Sequence, residues 1–246
     1  MKICVDAGHN YSGGDTGAVG VGGLREQDVT FAIAEALKNF LVSGGHQVMM
    51  TRKTLQENLG TDASSSLRER VRISNEWGSD VFISIHCNSG VAAAKGTEVL
   101  IPGRGGMAER YANAVQNSIC EQLDMINRGV RVDTEYLGIR LYVLHNTNCP
   151  AILIETGFIS NSDDASKLAN RTGDFARAIA SVFGVGGGSV SKFTDIENHW
   201  AKIHIEKLES YGIVNGYEDG TFRPEQNITR AEAAAMVSNA LTVLGK

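Results

Sequence analysis

Short apolar runs that alternate with stretches of helical spacing constrain this chain more than any other feature. KICVDAG, HQVMMTR, DVFISIH, GTEVLI, RLYVLH and AILIETGF read as strands bounded by polar or glycine-containing sequence. Between them, Val29, Ile33, Ala36, Leu37, Phe40 and Leu41 recur at helical spacing and stop at Gly44-Gly45. SLRERVRISNEWG, residues 108–123 and DFARAIASVFG read as further helices. The alternation predicts an α/β domain: a largely parallel twisted sheet flanked by helices, with right-handed crossovers.

The pattern stops at GVGGGSVSK, residues 184–192, which has no apolar period and reads as a flexible linker. Three parts are therefore expected: an α/β domain over 1–184, a Gly-rich linker over 185–192, and a small, mostly helical module over 193–246. Thr229 and Glu232 form a capping box that opens an Ala-rich helix in the module. The module is small for a self-sufficient core, so association of several chains through it is expected.

Bulk properties narrow the function classes. The 23 Lys and Arg against 28 Asp and Glu leave a net charge of −5, which argues against a nucleic-acid partner. No apolar run approaches the roughly 18 residues of a membrane span. The N-terminus lacks the pattern of a secretory signal, which predicts synthesis in the cytoplasm without a leader. Cys4, Cys87, Cys120 and Cys149 are scattered, without a C-x-x-C pair, and read as free, partly buried thiols.

Three of the apolar strands end in chemistry-bearing residues: KICVDAG runs into His9, VFISIH into His86 and AILIE into Glu155. In open α/β sheets, function sits beyond the carboxyl ends of the strands. If these three strands are parallel, their last side chains share one edge. Each alone also reads as a hydrogen-bonded loop residue, a helix cap or an ion-pair partner. Catalytic zinc takes three protein ligands, and two histidines with one glutamate are an established set. Glu26 follows the His9 loop and is a candidate third ligand, although acidic residues also favour helix N-termini for their own sake. The chain carries neither G-x-S-x-G nor H-E-x-x-H, and one clear carboxylate rather than the pair a glycosidase needs.

VDAGHN…GAVGVGGLREQDV, MMTR, LRERVRISNEWGSDVFISIHCNS, GTEVLI and PAILIETGFISN resemble, in order over roughly residues 1–184, the zinc-dependent N-acetylmuramoyl-L-alanine amidases of the amidase-3 type. The resemblance implies His9, Glu26 and His86 as ligands of Zn2+ and Glu155 as the catalytic acid/base. It implies peptidoglycan as substrate, cut at the amide between the lactyl group of N-acetylmuramic acid and L-alanine. Ala7 and Asn10 stand where the family usually has Pro and Gly, which changes loop stiffness. If His86 faces the metal, Cys87 faces away, since successive strand side chains alternate. Asn88, at the rim, and His145, at the end of RLYVLH, are candidate substrate contacts.

FTDI, Trp200, YGIVNGYEDGTFRP and ITRAEAAAMV resemble a single S-layer homology repeat. That resemblance implies binding of secondary cell-wall polysaccharide, with Arg230 as a candidate contact to an anionic sugar; the family usually acts through three copies, and one is present here. The alternatives are a non-catalytic wall-binding protein and a zinc peptidase or deacetylase acting on another amide. The missing leader favours a phage-type endolysin released by a holin or by lysis, over a bacterial autolysin whose leader has been removed.

Overall fold

The structure, a computed structural model, describes residues 1–185, 193–196, 199, 201, 205, 208–209, 212–217 and 219–243. The linker residues 186–192 and Trp200, Tyr211 and Glu218 of the module motifs lie outside the described residues. The chain divides into two compact units, 1–187 and 188–246.

The first unit is built on a six-stranded sheet in the order β2-β1-β3-β6-β4-β5. The strands are β1 (Lys2–Ala7), β2 (Gln47–Met50), β3 (Val81–Asn88), β4 (Thr97–Ile101), β5 (Asn127–Val132) and β6 (Ala151–Phe158). Every neighbouring pair is parallel except β4 with β6. The unit's helices are α1 (Glu26–Ser43), α2 (Ala63–Trp77), α3 (Met107–Leu123), α4 (Asp133–Tyr136), α5 (Tyr142–His145), α6 (Ser162–Asn170) and α7 (Thr172–Ser181).

Both sheet faces are covered, which is why the central strands read as continuous apolar runs. Ile3, Val5, Ile83, Ile85 and Ile154 pack with the apolar stripes of α1, α3 and α7. On the other face Cys4, Phe82, Leu100 and Leu153 meet Val71 of α2 and Val143 and Leu144 of α5. All four cysteines are free thiols.

The structure corrects the reading of RLYVLH as a strand. Tyr142–His145 is one short helical turn. The buried Asp133 carboxylate accepts from Leu141 N at 2.7 Å and holds the His145 ring at 2.9 Å, fixing a turn where an apolar run alone allows either element. His145 therefore ends a helix rather than a strand. Conversely, NRGVRV forms β5 although Gly129 and two arginines break its apolar pattern; as the outer strand it is only partly buried.

Between β1 and α2 lies a buried ionic network. Asp6, 1% exposed, accepts from Arg70 Nη1 at 2.6 Å, Thr51 Oγ1 at 2.6 Å and Ser84 Oγ at 2.7 Å. Burial alone would raise the Asp6 pKa, but the Arg70 charge and these donors hold it below the ordinary carboxylate range. Its stability contribution is thus fully present above the unfolded value of about 3.9 and is lost as pH falls through the folded value. Arg70→Met strands the buried carboxylate, and is expected to lower unfolding free energy at neutral pH by about 3–5 kcal/mol. Urea denaturation reads this, and the deficit should narrow as pH falls, first as the buried, unpaired Asp6 of the variant takes up a proton and then, below about pH 4, as the wild type loses its own ion-pair contribution. An equal deficit at all pH values would show that Arg70 stabilises through packing alone.

The second unit gathers Phe193, Ile196 and Ile205 in a small apolar cluster with Phe222 packed against it. Its helix α8 (Arg230–Val243) opens on the expected capping box: Glu232 N donates to Thr229 Oγ1 at 3.2 Å, and Thr229 N donates back to Glu232 Oε2 at 2.7 Å. Among the described residues no helix is long and apolar enough to cross a membrane.

Candidate metal centre and catalytic cleft

The parallel strands β1, β3 and β6 are neighbours, so His9, His86 and Glu155 arrive at one edge of the sheet. β1 hands over at Gly8, whose N–H donates to Ile85 O at 3.0 Å. A side chain there would not fit, because a Cβ would sit 2.5 Å from His86 Nε2. His9 itself has φ of 64°, an uncommon left-handed conformation for a non-glycine residue. Arg70 Nη2 clamps the His9 carbonyl at 2.7 Å, while Arg70 Nη1 and Arg52 Nη2 reach Ala7 O and Gly8 O at 2.7 and 3.4 Å. Asn10 is tied to Leu59 by both ends of its amide, at 2.8 and 3.0 Å.

Glu26 is the first residue of α1, and its carboxylate is aimed by the backbone. Oε2 accepts from Ala18 N and Oε1 from Cys87 N, both at 2.9 Å. Oε1 then lies 3.1 Å from His9 Nε2 and 3.2 Å from His86 Nδ1. One donor atom from each residue falls within 4.8 Å of the others. Gly17 keeps the approach clear, since a Cβ there would meet the Glu26 side chain at 2.7 Å. On the far side of the His9 ring, Nδ1 is 3.4 Å from Asp15 Oδ1, an ion-pair separation rather than a good hydrogen bond.

Two imidazole nitrogens and one carboxylate oxygen converge, the carboxylate pre-oriented by two N–H groups and one ring backed by a second carboxylate. This donor set and its supporting shell fit a zinc ion. Without a metal, the same groups pair as ions. Burial opposes charge on Glu26, but the His86 and His9 rings hold its pKa far below the usual range. Burial likewise opposes the His9 cation, and Asp15 and Glu26 outweigh it, raising the pKa to about 9.

Glu155 stands directly across from His86 on one side and from Glu98 on the other. Its Oε2 is buried without a hydrogen-bond partner among the described residues. Burial, with the Glu26 and Glu98 carboxylates beside it, pushes its pKa up to about 8. An unpartnered carboxyl oxygen poised near neutrality suits proton transfer. A cleft of about 240 Å³ opens beside the cluster, with His9 and His86 on its wall and Leu67, Leu141, Val143 and Leu153 supplying apolar surface.

The remaining sequence candidates divide. Cys87 does face away, buried with Sγ 3.5 Å from Thr156 Oγ1, but its backbone N–H orients Glu26. Asn88 donates to Glu98 Oε1 at 2.7 Å, which ties it into the sheet beside Glu155. Both ring nitrogens of His145 are engaged, Nε2 by Asp133 and Nδ1 by Arg140 at 3.0 Å. Arg230 is exposed at the start of α8, in the other unit. Sequence reasoning missed Asp15, Arg70 and Glu98; the loop GGDTGAVG offered the only signal for Asp15, an acid among glycines.

Comparison with known proteins places this geometry. Residues 3–183 match the sequence profile of the N-acetylmuramoyl-L-alanine amidase family, and residues 192–234 match that of the S-layer homology domain. The chain is 33% identical over 180 residues to the N-acetylmuramoyl-L-alanine amidase CwlM of Bacillus licheniformis, covering 73% of this chain and 64% of CwlM. The match thus spans slightly less than two thirds of that relative. It is 27% identical to the endolysin of Bacillus phage SPP1 over 99% of this chain and 90% of the endolysin. Among solved structures it resembles N-acetylmuramoyl-L-alanine amidase AmiC2 of Nostoc punctiforme, with TM-score 0.62 and 32% identity over 74% of this chain and 94% of AmiC2. With the profile covering most of its length, the chain belongs to the N-acetylmuramoyl-L-alanine amidase family and carries an S-layer homology domain behind the amidase region.

Proposed function

We propose that this protein is a zinc-dependent peptidoglycan hydrolase that cuts the amide between the lactyl group of N-acetylmuramic acid and L-alanine. The observation that carries this reading is the convergence of His9 Nε2, Glu26 Oε1 and His86 Nδ1 beside Glu155, whose Oε2 is buried and unpartnered. His9, Glu26 and His86 would hold the zinc, which supplies a Lewis acid to acidify water and polarise the scissile carbonyl. Glu155 takes a proton from the attacking water and passes it to the amine nitrogen as the C–N bond breaks. Glu26 keeps its orientation through the Ala18 and Cys87 N–H groups, and Arg70 and Arg52 hold the His9 loop. The apolar wall of the cleft, Leu67, Leu141, Val143 and Leu153, would limit competing water around the reacting amide.

Digestion of purified peptidoglycan should release new amino groups carried by L-alanine, without new reducing sugar ends. New reducing ends would indicate a glycosidase. Amino groups from other residues would favour a peptidase, and free acetate a deacetylase. No product at all with zinc bound would leave a non-catalytic wall-binding protein.

The C-terminal domain supports attachment to the wall. There Arg230, exposed on α8, would meet an anionic group of secondary cell-wall polysaccharide. Val237 and Leu241 are 61% and 45% exposed on the same helix, which supports association of this module between chains. The match to the SPP1 endolysin along nearly the whole chain favours a phage-type lytic role as a second reading.

A further inference from the structure

The outer strand β5 carries a cluster that the chemistry above leaves unused. Its register against β4 is broken between Thr97 and Val99: Thr97 pairs with Asn127 and Val99 with Val130, so Arg128 and Gly129 both stand opposite Glu98. Gly129 has φ of 89°, the left-handed conformation that favours glycine at such a bulge. In an unbroken strand, side chains three residues apart point to opposite faces. Here the extra residue restores the phase. Arg131 pairs with Leu100, two residues from Glu98 on the same face, and Arg128 Nε donates to Glu98 Oε2 at 3.1 Å. Tyr136 joins the two arginines. Its hydroxyl oxygen is 3.3 Å from Arg128 Nη2, and its ring centroid is 5.0 Å from the Arg131 guanidinium carbon.

The charges do not balance. Glu98 is matched by Arg128, but Arg131 is exposed and has no carboxylate within 4.0 Å among the described residues. Position gives the surplus cation a use. His86, Glu155, Glu98 and Arg128 follow one another across β3, β6, β4 and β5. Arg131, level with Leu100 and Leu153, lies two strand spacings across and two residues along from Glu155, about 12 Å. A peptide advances about 3.5 Å per residue at most, so a carboxylate one residue beyond the departing amine comes within reach of a long arginine side chain there.

We propose that Arg131, with Tyr136 and Arg128, forms a subsite for a free carboxylate on the peptide that leaves with the amine, and so makes the enzyme discriminate acidic from amidated stem peptides. This rests on the amidase reading. The guanidinium offers paired N–H donors to a carboxylate, and a carboxamide forfeits the charge.

The test uses two soluble N-acetylmuramoyl peptides that differ only in a carboxylate or a carboxamide on the residue after L-alanine. The full-length zinc-loaded protein should prefer the acid about fivefold to tenfold in kcat/KM, through KM. Arg131→Gln should bring that ratio close to one, Arg131→Lys should recover part of it, and Arg110→Gln, an exposed change on α3, should keep it. Calorimetric titration of the released acidic and amidated peptides supplies a readout without catalysis, with the same dependence on Arg131. Equal KM for both substrates, or a ratio that survives Arg131→Gln, overturns the subsite and leaves the amidase reading intact. If neither substrate is cleaved, yet the acidic peptide binds more tightly and loses that advantage in Arg131→Gln, the amidase reading fails and the carboxylate site stands.

Discussion

Glu155→Gln should lower turnover on peptidoglycan by about 10²–10⁴-fold while zinc content stays at the wild-type level. The amide keeps the size of the carboxyl group and cannot shuttle a proton. The residue lies one strand away from the donor cluster and contributes no atom to it, so metal content should not follow activity. Stability separates this outcome from a folding defect. Burial and the Glu26 and Glu98 carboxylates push the Glu155 pKa up to about 8, so at neutral pH and above its charge is disfavoured where it sits. A neutral amide removes that repulsion, and the melting temperature should hold or rise, as when a strained catalytic group is replaced. Activity loss accompanied by a lower melting temperature and zinc loss would assign Glu155 a structural role. Wild-type turnover would put the base elsewhere.

The parts of this site that were legible in the sequence share a physical cause. β1, β3 and β6 are central and buried on both faces, so they appear as unbroken apolar runs, and the residue that ends each run is conspicuous. Parallel pairing then brings His9, His86 and Glu155 to one edge. What stayed hidden depends on contacts between distant segments. Arg70 sits in a helix that reads as an ordinary charged amphipathic stretch, and only the fold shows it spanning to Asp6 and the His9 carbonyl. Glu98 interrupts a strand that read as apolar, and its partners Asn88 and Arg128 come from β3 and β5. β5 was invisible because a bulged outer strand with exposed arginines has no clean alternation. RLYVLH failed for the opposite reason: a short apolar run is compatible with either element, and Asp133, eight residues upstream of Leu141, decides for the turn.

His86→Ala should lose the metal itself. In the wild-type protein, added zinc should raise the melting temperature, by an amount equivalent to about 2.7 kcal/mol when zinc stands at 100 times its dissociation constant. Chelation should remove both that increment and the activity, and added zinc should restore both. His86→Ala leaves His9 and Glu26 as a two-ligand remnant, so its zinc content after dialysis should fall well below one per chain and its melting temperature should stop responding to zinc. His46→Ala is the matched control. That ring is held by Phe183 O at 2.8 Å, far from the cluster in the fold, and its loss should leave zinc content unchanged. pH supplies a further check on the same ligands. Asp15 and Glu26 hold the metal-free His9 pKa at about 9, so at neutral pH zinc must displace a proton from that ring. Apparent zinc affinity should therefore rise by up to about tenfold for each pH unit from 6 to 8, and flatten above the His9 pKa. Calorimetry in buffers of different ionisation enthalpy should report close to one proton released per zinc near pH 7. Full zinc occupancy in His86→Ala, or binding without proton release, would move the metal away from His9, Glu26 and His86.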